Sequence, residues 1–413
     1  MPLVTYVTDV EGIGAKLDTF VAESPWLAYD TEGRLELHDD ATFVFGGDAV
    51  DRGPDGRRVV RTLLDAKERY GDRVVLVAGN RDINKLRLPR ELEGAPPPWL
   101  RDVPVGSPRA VVLRAILANT MGARAAFDHR QDELRREGVD ADDDAVVRSF
   151  LDDLAPGGPH LRYLEHAVLA FRSGSTLFVH GAVSGESLGH VPGCDPEPDV
   201  DRWIDRLNAF YRSQIRTFAE RDASKEASLA HTAVPYAPLV KYQAPVFGSG
   251  QNPSSVVYGR TVDEANNPVL PDDEAIARLV AAGIRRVVVG HTPSGDTPTI
   301  LRGEGFEMIV ADNSYGSLDW GAGVDVDEDG VTIRGRATLE SGDVVSVGFS
   351  THGTAWPHLG SRDVATGEIV KGPVADGRSL LFKYGPRLKL VQRAVHADDL
   401  RGRRFAPARA GNR

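Results

Sequence analysis

The stretch Thr42–Asp55, TFVFGGDAVDRGPD, limits what this chain can fold into more than any other. The apolar run Phe43-Val44-Phe45 stops at Gly46-Gly47 and is followed at once by Asp48, Asp51, Arg52 and Gly53-Pro54. A short, continuous apolar run reads as a strand buried on both faces, and the crevice past the carboxyl ends of such strands is where α/β sheets place their chemistry. Small residues there let the backbone approach a bound ion or phosphate. The pattern recurs along the chain. Leu3–Thr8 ends at Asp9-Val10-Glu11-Gly12, and Arg73–Ala78 ends at Gly79-Asn80-Arg81-Asp82. Ser175–Val179 delivers His180, Ile284–Val289 delivers Gly290-His291, and Phe306–Ala311 delivers Asp312. Read from residues alone, this is an α/β sheet whose strand ends converge on Asp48.

The segments between these runs divide by pattern. Gly14–Ser24 is a short helix, and Leu27–Leu37 alternates about a Glu-Gly turn as a hairpin does. Arg57–Tyr70, Asp199–Arg221 and Asp272–Ala282 carry apolar residues at helical spacing. Residues 83–171 break the rhythm with a proline cluster, helical patterns at Ala110–Thr120 and about 142–154, and dense cations from Lys85 to Arg136. The expected organisation is a core from 1–82, a mostly helical insertion or cap over 83–171, and a second core part over 172–400. A helix-loop insertion at about 195–260 interrupts that second part. The cap cations either meet an anionic substrate or form a solvated face. The loop from His231 to Gly259 is too long for a simple connection and is a candidate substrate wall. Val331–Arg336, Val344–Phe349 and Ser379–Tyr384 read as antiparallel strands of a further sheet, and Arg401–Arg413 as a solvated, flexible tail.

Composition excludes some classes of function. The chain has 413 residues and a formal net charge of -11, which argues against a nucleic-acid polymer as partner. Its single cysteine, Cys194, forms no intrachain disulfide. No run of about 18 apolar residues occurs and the first strand starts at once, so a cytoplasmic protein without a membrane partner is expected.

Asp9, Glu11, Asp48, Asn80, His180 and His291 form a set of carboxylate, amide oxygen and imidazole suited to two divalent cations. One carboxylate bridging two ions would clamp a phosphoryl group for in-line attack. Asp48 is the expected bridge. Arg52, forked and always charged, suits a phosphate oxygen. The motifs DVEG, GGDAVDRG, GNRD, HGA and GHT, in this order, resemble those of the calcineurin-like metallophosphoesterases, and the order looks most like the Ser/Thr protein phosphatase branch. The resemblance implies a mixed α+β fold, layered α-β-β-α: a β-sandwich flanked by helices, with the helical cap inserted and antiparallel strands after it. It further implies one metal on Asp9, Glu11 and Asp48, and another on Asp48, Asn80, His180 and His291. Arg52 and Asn80 would contact phosphate.

Two positions depart from the pattern. Glu11 stands where the family has His, which tilts the expected metals toward Mn²⁺ or Mg²⁺ over Fe, Co or Zn. Arg81-Asp82 stands where the family has His-Glu. Arginine is no practical acid, so Arg81, paired with Asp51, is expected to bind substrate and stabilise the leaving oxygen electrostatically. His231 is an outside candidate for the proton, and Asp312 a candidate to orient a histidine. The expected activity is hydrolysis of a small phosphomonoester, a nucleotide or sugar phosphate. A protein Ser/Thr phosphatase is the first rival, then a phosphodiesterase or a non-catalytic phosphometabolite binder.

Overall fold

The computed structural model describes residues 3–93, 96–226, 229–230, 232–313, 319–354 and 356–410. Two mixed sheets face each other at its centre. The first has seven strands in the order Val344–Ser350, Val331–Thr338, Gly323–Val326, Leu3–Val7, Ala41–Phe45, Val74–Val77 and Ala167–Val168. The second has five, in the order Thr299–Gly303, Phe306–Val310, Arg286–Val289, Thr176–Val179 and Ala170–Ser173. Leu3–Val7, Ala41–Phe45 and Val74–Val77 run parallel in the first, and Thr176–Val179, Arg286–Val289 and Phe306–Val310 run parallel in the second.

The apolar runs are continuous because both faces of each strand are covered, and their period of two sorts them. Val4, Tyr6, Val44, Val75 and Val77 from the first sheet share a core with Phe178, Val288 and Ile309 from the second. Phe178 joins them, with its ring 5.7 Å from Tyr6 and 5.9 Å from Phe171. The alternate residues Phe43, Phe45, Val74 and Leu76, with Leu177, Val179, Val287 and Val289, turn outward under helices. Those helices include Gly14–Glu23, Gly56–Tyr70, Pro159–His166 and Val200–Ala219. Fully burying each such side chain stabilises the fold by about 1.5–3 kcal/mol. The result is a sandwich of sheets between helical layers.

The C-terminal strands are shared differently from the sequence expectation. Val331–Thr338 and Val344–Ser350 extend the first core sheet, whereas Ser379–Gly385 lies in a third, separate sheet. That sheet runs Lys389–Val395, Ser379–Gly385, Ile369–Pro373, Ser361–Asp363, Phe405–Pro407. Its last strand falls in the segment read as a flexible tail, and that reading is corrected. Phe405–Pro407 pairs with Ser361–Asp363, Leu270 donates its N–H to the Ala408 carbonyl at 2.8 Å, and Ala408 is buried. Arginine-rich composition suggested solvent, but the pairing partners lie over forty residues away and were invisible locally.

Between 83 and 166 the described chain is mostly helical, with Arg109–Thr120, Ala126–Arg136, Asp143–Asp152 and Pro159–His166 as its main helices, and Ala167–Val168 and Ala170–Ser173 return to the two core sheets. No helix among the described residues is long and apolar enough to cross a membrane.

Candidate metal centre

Six loops carry the site, each starting where an apolar strand stops. They are held against one another by backbone hydrogen bonds. Asp9 donates its N–H to Gly47 at 3.0 Å, Glu11 to Asp48 at 2.8 Å, and Gly290 to His180 at 2.8 Å. The His291 N–H reaches the Asp9 carboxylate at 3.1 Å, joining the two sheets. Asp9, Glu11, Asp48, Asp51 and His291 all have positive φ, from 52° to 118°. Each such residue costs about 1–3 kcal/mol and persists only where its surroundings enforce it. Close approach also demands glycine: a Cβ on Gly79 would collide with Asp48 Oδ1, and one on Gly290 with Asp9 Oδ2. Asp82, whose role the sequence left unstated, clamps the central loop. Its buried carboxylate accepts the N–H groups of Asp48 at 2.9 Å, Ala49 at 2.8 Å and Gly79 at 2.9 Å.

Two groups of buried side chains could each hold a cation: Asp9, Glu11 and Asp48, and Asp48, His180 and His291. Within each, ligand atoms lie within 4.8 Å of one another, and Asp48 belongs to both. Asn80 adjoins the second group, its Oδ1 3.3 Å from His180 Nε2. His180 Nδ1 lies 2.8 Å from the Gly46 carbonyl, so that nitrogen carries the proton and donates. Nε2 is left facing Asp48 Oδ1 at 3.3 Å and Asn80 Oδ1, two acceptors. A ring nitrogen among oxygens calls for a positive charge. Burial pulls the imidazole pKa down, but Asp48 pushes it up to about 10. Burial would raise the Asp48 pKa, yet His180 and Arg81 hold it well below the usual range.

Cations crowd this floor, some expected there and some not. Arg81 Nε sits 2.7 Å from Glu11 Oε1 and 3.5 Å from Asp48 Oδ2. Arg52 lies 3.3 Å from Glu11 Oε2. Burial nevertheless pushes the Glu11 carboxyl up to about 7, against both guanidiniums. Arg81 was expected to pair with Asp51. Its NH1 does pair with Asp51, at 3.7 Å, and Lys85 Nζ adds a closer ion pair at 2.7 Å. Lys85, read from sequence as one of the solvated or substrate-facing cap cations, is buried. Lys16 is buried too, on the first helix, among the charges of Glu11, Asp312 and Asp9. Arg260 donates Nε–H to His291 Nε2 at 3.2 Å, and the Tyr258 ring lies 4.8 Å from that imidazole. Burial and Arg260 lower the His291 pKa well below its ordinary value. Asp312 is buried at the same cavity. His231 and Ser314-Tyr315 lie outside the described residues, and Cys194 is exposed, away from the site.

Asp9, Glu11, Asp48, Asn80, Arg52, Arg81, Arg260 and His291 line a cavity of about 900 Å³. Its walls come from the two segments without motifs: Trp99, Thr120 and Met121 on one side, Val234, Ala237, Val240 and Phe247 on the other. Arg81 NH1 ties floor to wall through the Met121 carbonyl at 3.0 Å.

A family model described as calcineurin-like phosphoesterase matches residues 18–295, more than half of the chain. The chain belongs to the calcineurin-like phosphoesterases. No curated protein matches it. Among solved structures, it is similar to a cold-active protein-tyrosine phosphatase from a psychrophilic Shewanella species, at 17% identity and a TM-score of 0.47, covering 84% of this chain and 80% of that one. A protein serine/threonine phosphatase from Saccharomyces cerevisiae gives 12% identity, a TM-score of 0.37 and coverage of 86% and 81%. A metallophosphoesterase from Sphaerobacter thermophilus gives 13%, 0.33, and coverage of 78% and 82%.

Calcineurin-like phosphoesterases use divalent metals, and the donors here fit such ions. Besides the His180 lone pair, Glu11 Oε2 is buried without a hydrogen bond, held only by the Arg52 ion pair at 3.3 Å. The fit is uneven across the two groups. The Asp48, Asn80, His180, His291 group has neutral and anionic donors, with one guanidinium on His291 and Arg81 3.5 Å from Asp48. The Asp9, Glu11, Asp48 group has guanidiniums facing Glu11 from both sides.

Proposed function

We propose that this phosphoesterase is a dinuclear phosphomonoesterase acting on a small phosphorylated metabolite. The observation that carries the reading is the pair of ligand groups sharing Asp48 on the floor of a walled cavity. A cavity closed by two segments favours a compact ester over a flat protein surface.

When bound, the two ions supply Lewis acidity toward the phosphoryl oxygens and lower the pKa of a bound water. The chain's own residues do the rest. Asp9, Glu11 and Asp48 hold the first ion, and Asp48, Asn80, His180 and His291 the second. Asp82 fixes the Asp48 loop through three N–H bonds, so the shared carboxylate needs no rearrangement. Arg52 presents its guanidinium to the cavity and suits a phosphate oxygen. Arg81 lies against the same floor as a fixed positive charge for the developing leaving oxygen. It donates no proton at neutral pH, so the leaving oxygen is protonated from solvent. Glu11 as a carboxylate favours Mn²⁺ or Mg²⁺.

The test is phosphate release by metal-stripped protein refilled with Mn²⁺, Mg²⁺, Co²⁺ or Zn²⁺. The panel contains nucleotides, sugar phosphates and phosphopeptides. Turnover of one metabolite class, lost in Asp48→Asn, is expected. Selective turnover of phosphopeptides would transfer the reading to a protein phosphatase.

A further inference from the structure

The phosphate end of the cavity is fixed by the ligand groups and Arg52, so the leaving group must occupy the remainder. That remainder is lined largely by Trp99, Met121, Val234, Ala237, Val240 and Phe247. Two are aromatic and unusually open: Trp99 is 41% exposed and Phe247 104%. A monomeric chain rarely leaves large aromatic faces uncovered, and here both border the same cavity as the ligand groups.

Of the cations lining this arm, Arg87 and Arg90 are already engaged, whereas Lys241 is exposed. Arg87 is forked onto Glu91 at 2.7 and 3.1 Å and onto Asn84 and Thr120 at 3.1 Å each, with its guanidinium 5.9 Å from the Trp99 ring. Arg90 donates to the Leu229 carbonyl at 2.6 Å. Lys241 is left to meet a further phosphate of the same ester. A sugar would find polar partners in Asn119, Thr120, Thr232 and Gln243, but none on the Met121, Val234 and Val240 faces, against which it would give up water. A flat heterocycle has two π faces to stack on exposed aromatic rings and loses little hydration from them.

We propose that the ester's leaving group carries a flat aromatic base, so that the substrate is a nucleotide, with Trp99 and Phe247 as its stacking surface. The proposal rests on the phosphomonoesterase reading and narrows it from two metabolite classes to one.

A matched pair of substrates tests it. A nucleoside 5′-monophosphate and ribose 5-phosphate share the leaving alcohol and differ by the base. In the metal-loaded wild-type protein, kcat/KM for the nucleotide is expected to exceed that for ribose 5-phosphate by about tenfold or more. Trp99→Ala with Phe247→Ala should bring that ratio close to one, chiefly through KM. Trp99→Phe with Phe247→Trp should keep it high. Calorimetric binding of the two esters gives a second ratio, which decides the matter even if neither is hydrolysed. A wild-type ratio near one, or a high ratio indifferent to the alanine pair, overturns the proposal. Phosphate release from both esters at equal efficiency would overturn the base preference alone, whereas tight nucleotide binding without hydrolysis by any metal form would overturn the phosphomonoesterase reading alone.

Discussion

Glu11 has a guanidinium against each carboxylate oxygen, Arg81 at 2.7 Å and Arg52 at 3.3 Å. An ion seated by Asp9, Glu11 and Asp48 shares the Glu11 carboxylate with two positive charges, while in the Asp48, His180, His291 seat Arg260 meets the neutral donor His291 at 3.2 Å and Arg81 stands 3.5 Å from the shared Asp48. The two seats should therefore differ in affinity. Arg81→Ala is expected to tighten the weaker Mn²⁺ equivalent about tenfold in a calorimetric titration of stripped protein, within the 10–100-fold range typical of groups that touch a ligand. The same variant should lower kcat by about 10²-fold, the usual cost of one preorganised donor. An unchanged isotherm would mean that the guanidinium does not oppose the ion. At this scale the strand-end acids and histidines were legible, because a continuous apolar run followed by glycine and a polar ligand is a local signal. Lys16, Lys85 and Arg260 were not. A lysine or arginine in a sequence defaults to solvent, and its burial is decided by carboxylates or rings brought from distant segments. For Lys85 the partner is Asp51, on the loop after another strand; for Arg260 it is His291.

The third sheet reaches onto the loop just past His291. Lys371 Nζ donates to the carbonyls of Ser294 and Thr297. The Gly295 N–H donates to Tyr384 Oη at 3.2 Å, and the Asp296 N–H to Gln392 Oε1 at 3.1 Å. Gln392 returns a bond from Nε2 to Asp296 Oδ2 at 2.8 Å. Three strands of one sheet thus fix four consecutive residues after a ligand histidine. Burial pushes the Lys371 ammonium down to about 7, partly offset by Asp296. In the unfolded chain the same group titrates near 10.5. The folded state disfavours the protonated form, so its cost is full below about pH 7 and vanishes as pH rises to about 10.5. Relative to Lys371→Met, the wild-type protein should gain up to about 1.4 kcal/mol of stability per pH unit across that window. Urea midpoints of both proteins from pH 7 to 10 measure this, and parallel pH curves would contradict it. The helices and hairpin of the core were readable from periodicity. The grouping of the late strands was not, since pairing partners follow from which faces remain uncovered once the sandwich has formed.

Across the whole molecule, the ligand set belongs to both sheets. Asp9, Asp48 and Asn80 follow strands of the first, and His180 and His291 follow strands of the second. Bound ions would staple the sandwich at its open edge and relieve the repulsion among buried Asp9, Glu11, Asp48 and Asp312. Chelation should then lower the melting temperature by several degrees, since saturation at a hundred times Kd is worth about 2.7 kcal/mol. Mn²⁺ should restore it, and Asp48→Asn should blunt the response; differential scanning calorimetry reads all three. The sandwich itself was legible through the resemblance more than through the residues, which announce buried parallel strands without saying how many sheets share them.

The grip on the His291 loop also sets a timetable. Asp9, His291 and Gln392 emerge from the ribosome in that order, about 14–56 s and then about 5–20 s apart at ordinary rates of synthesis. The first sheet's nucleus, with its acids, is made long before the histidine that completes the second seat, and the side chains that fix that histidine's loop come later still. The candidate second seat is therefore fully braced only once the third sheet has docked on the loop over 294–297.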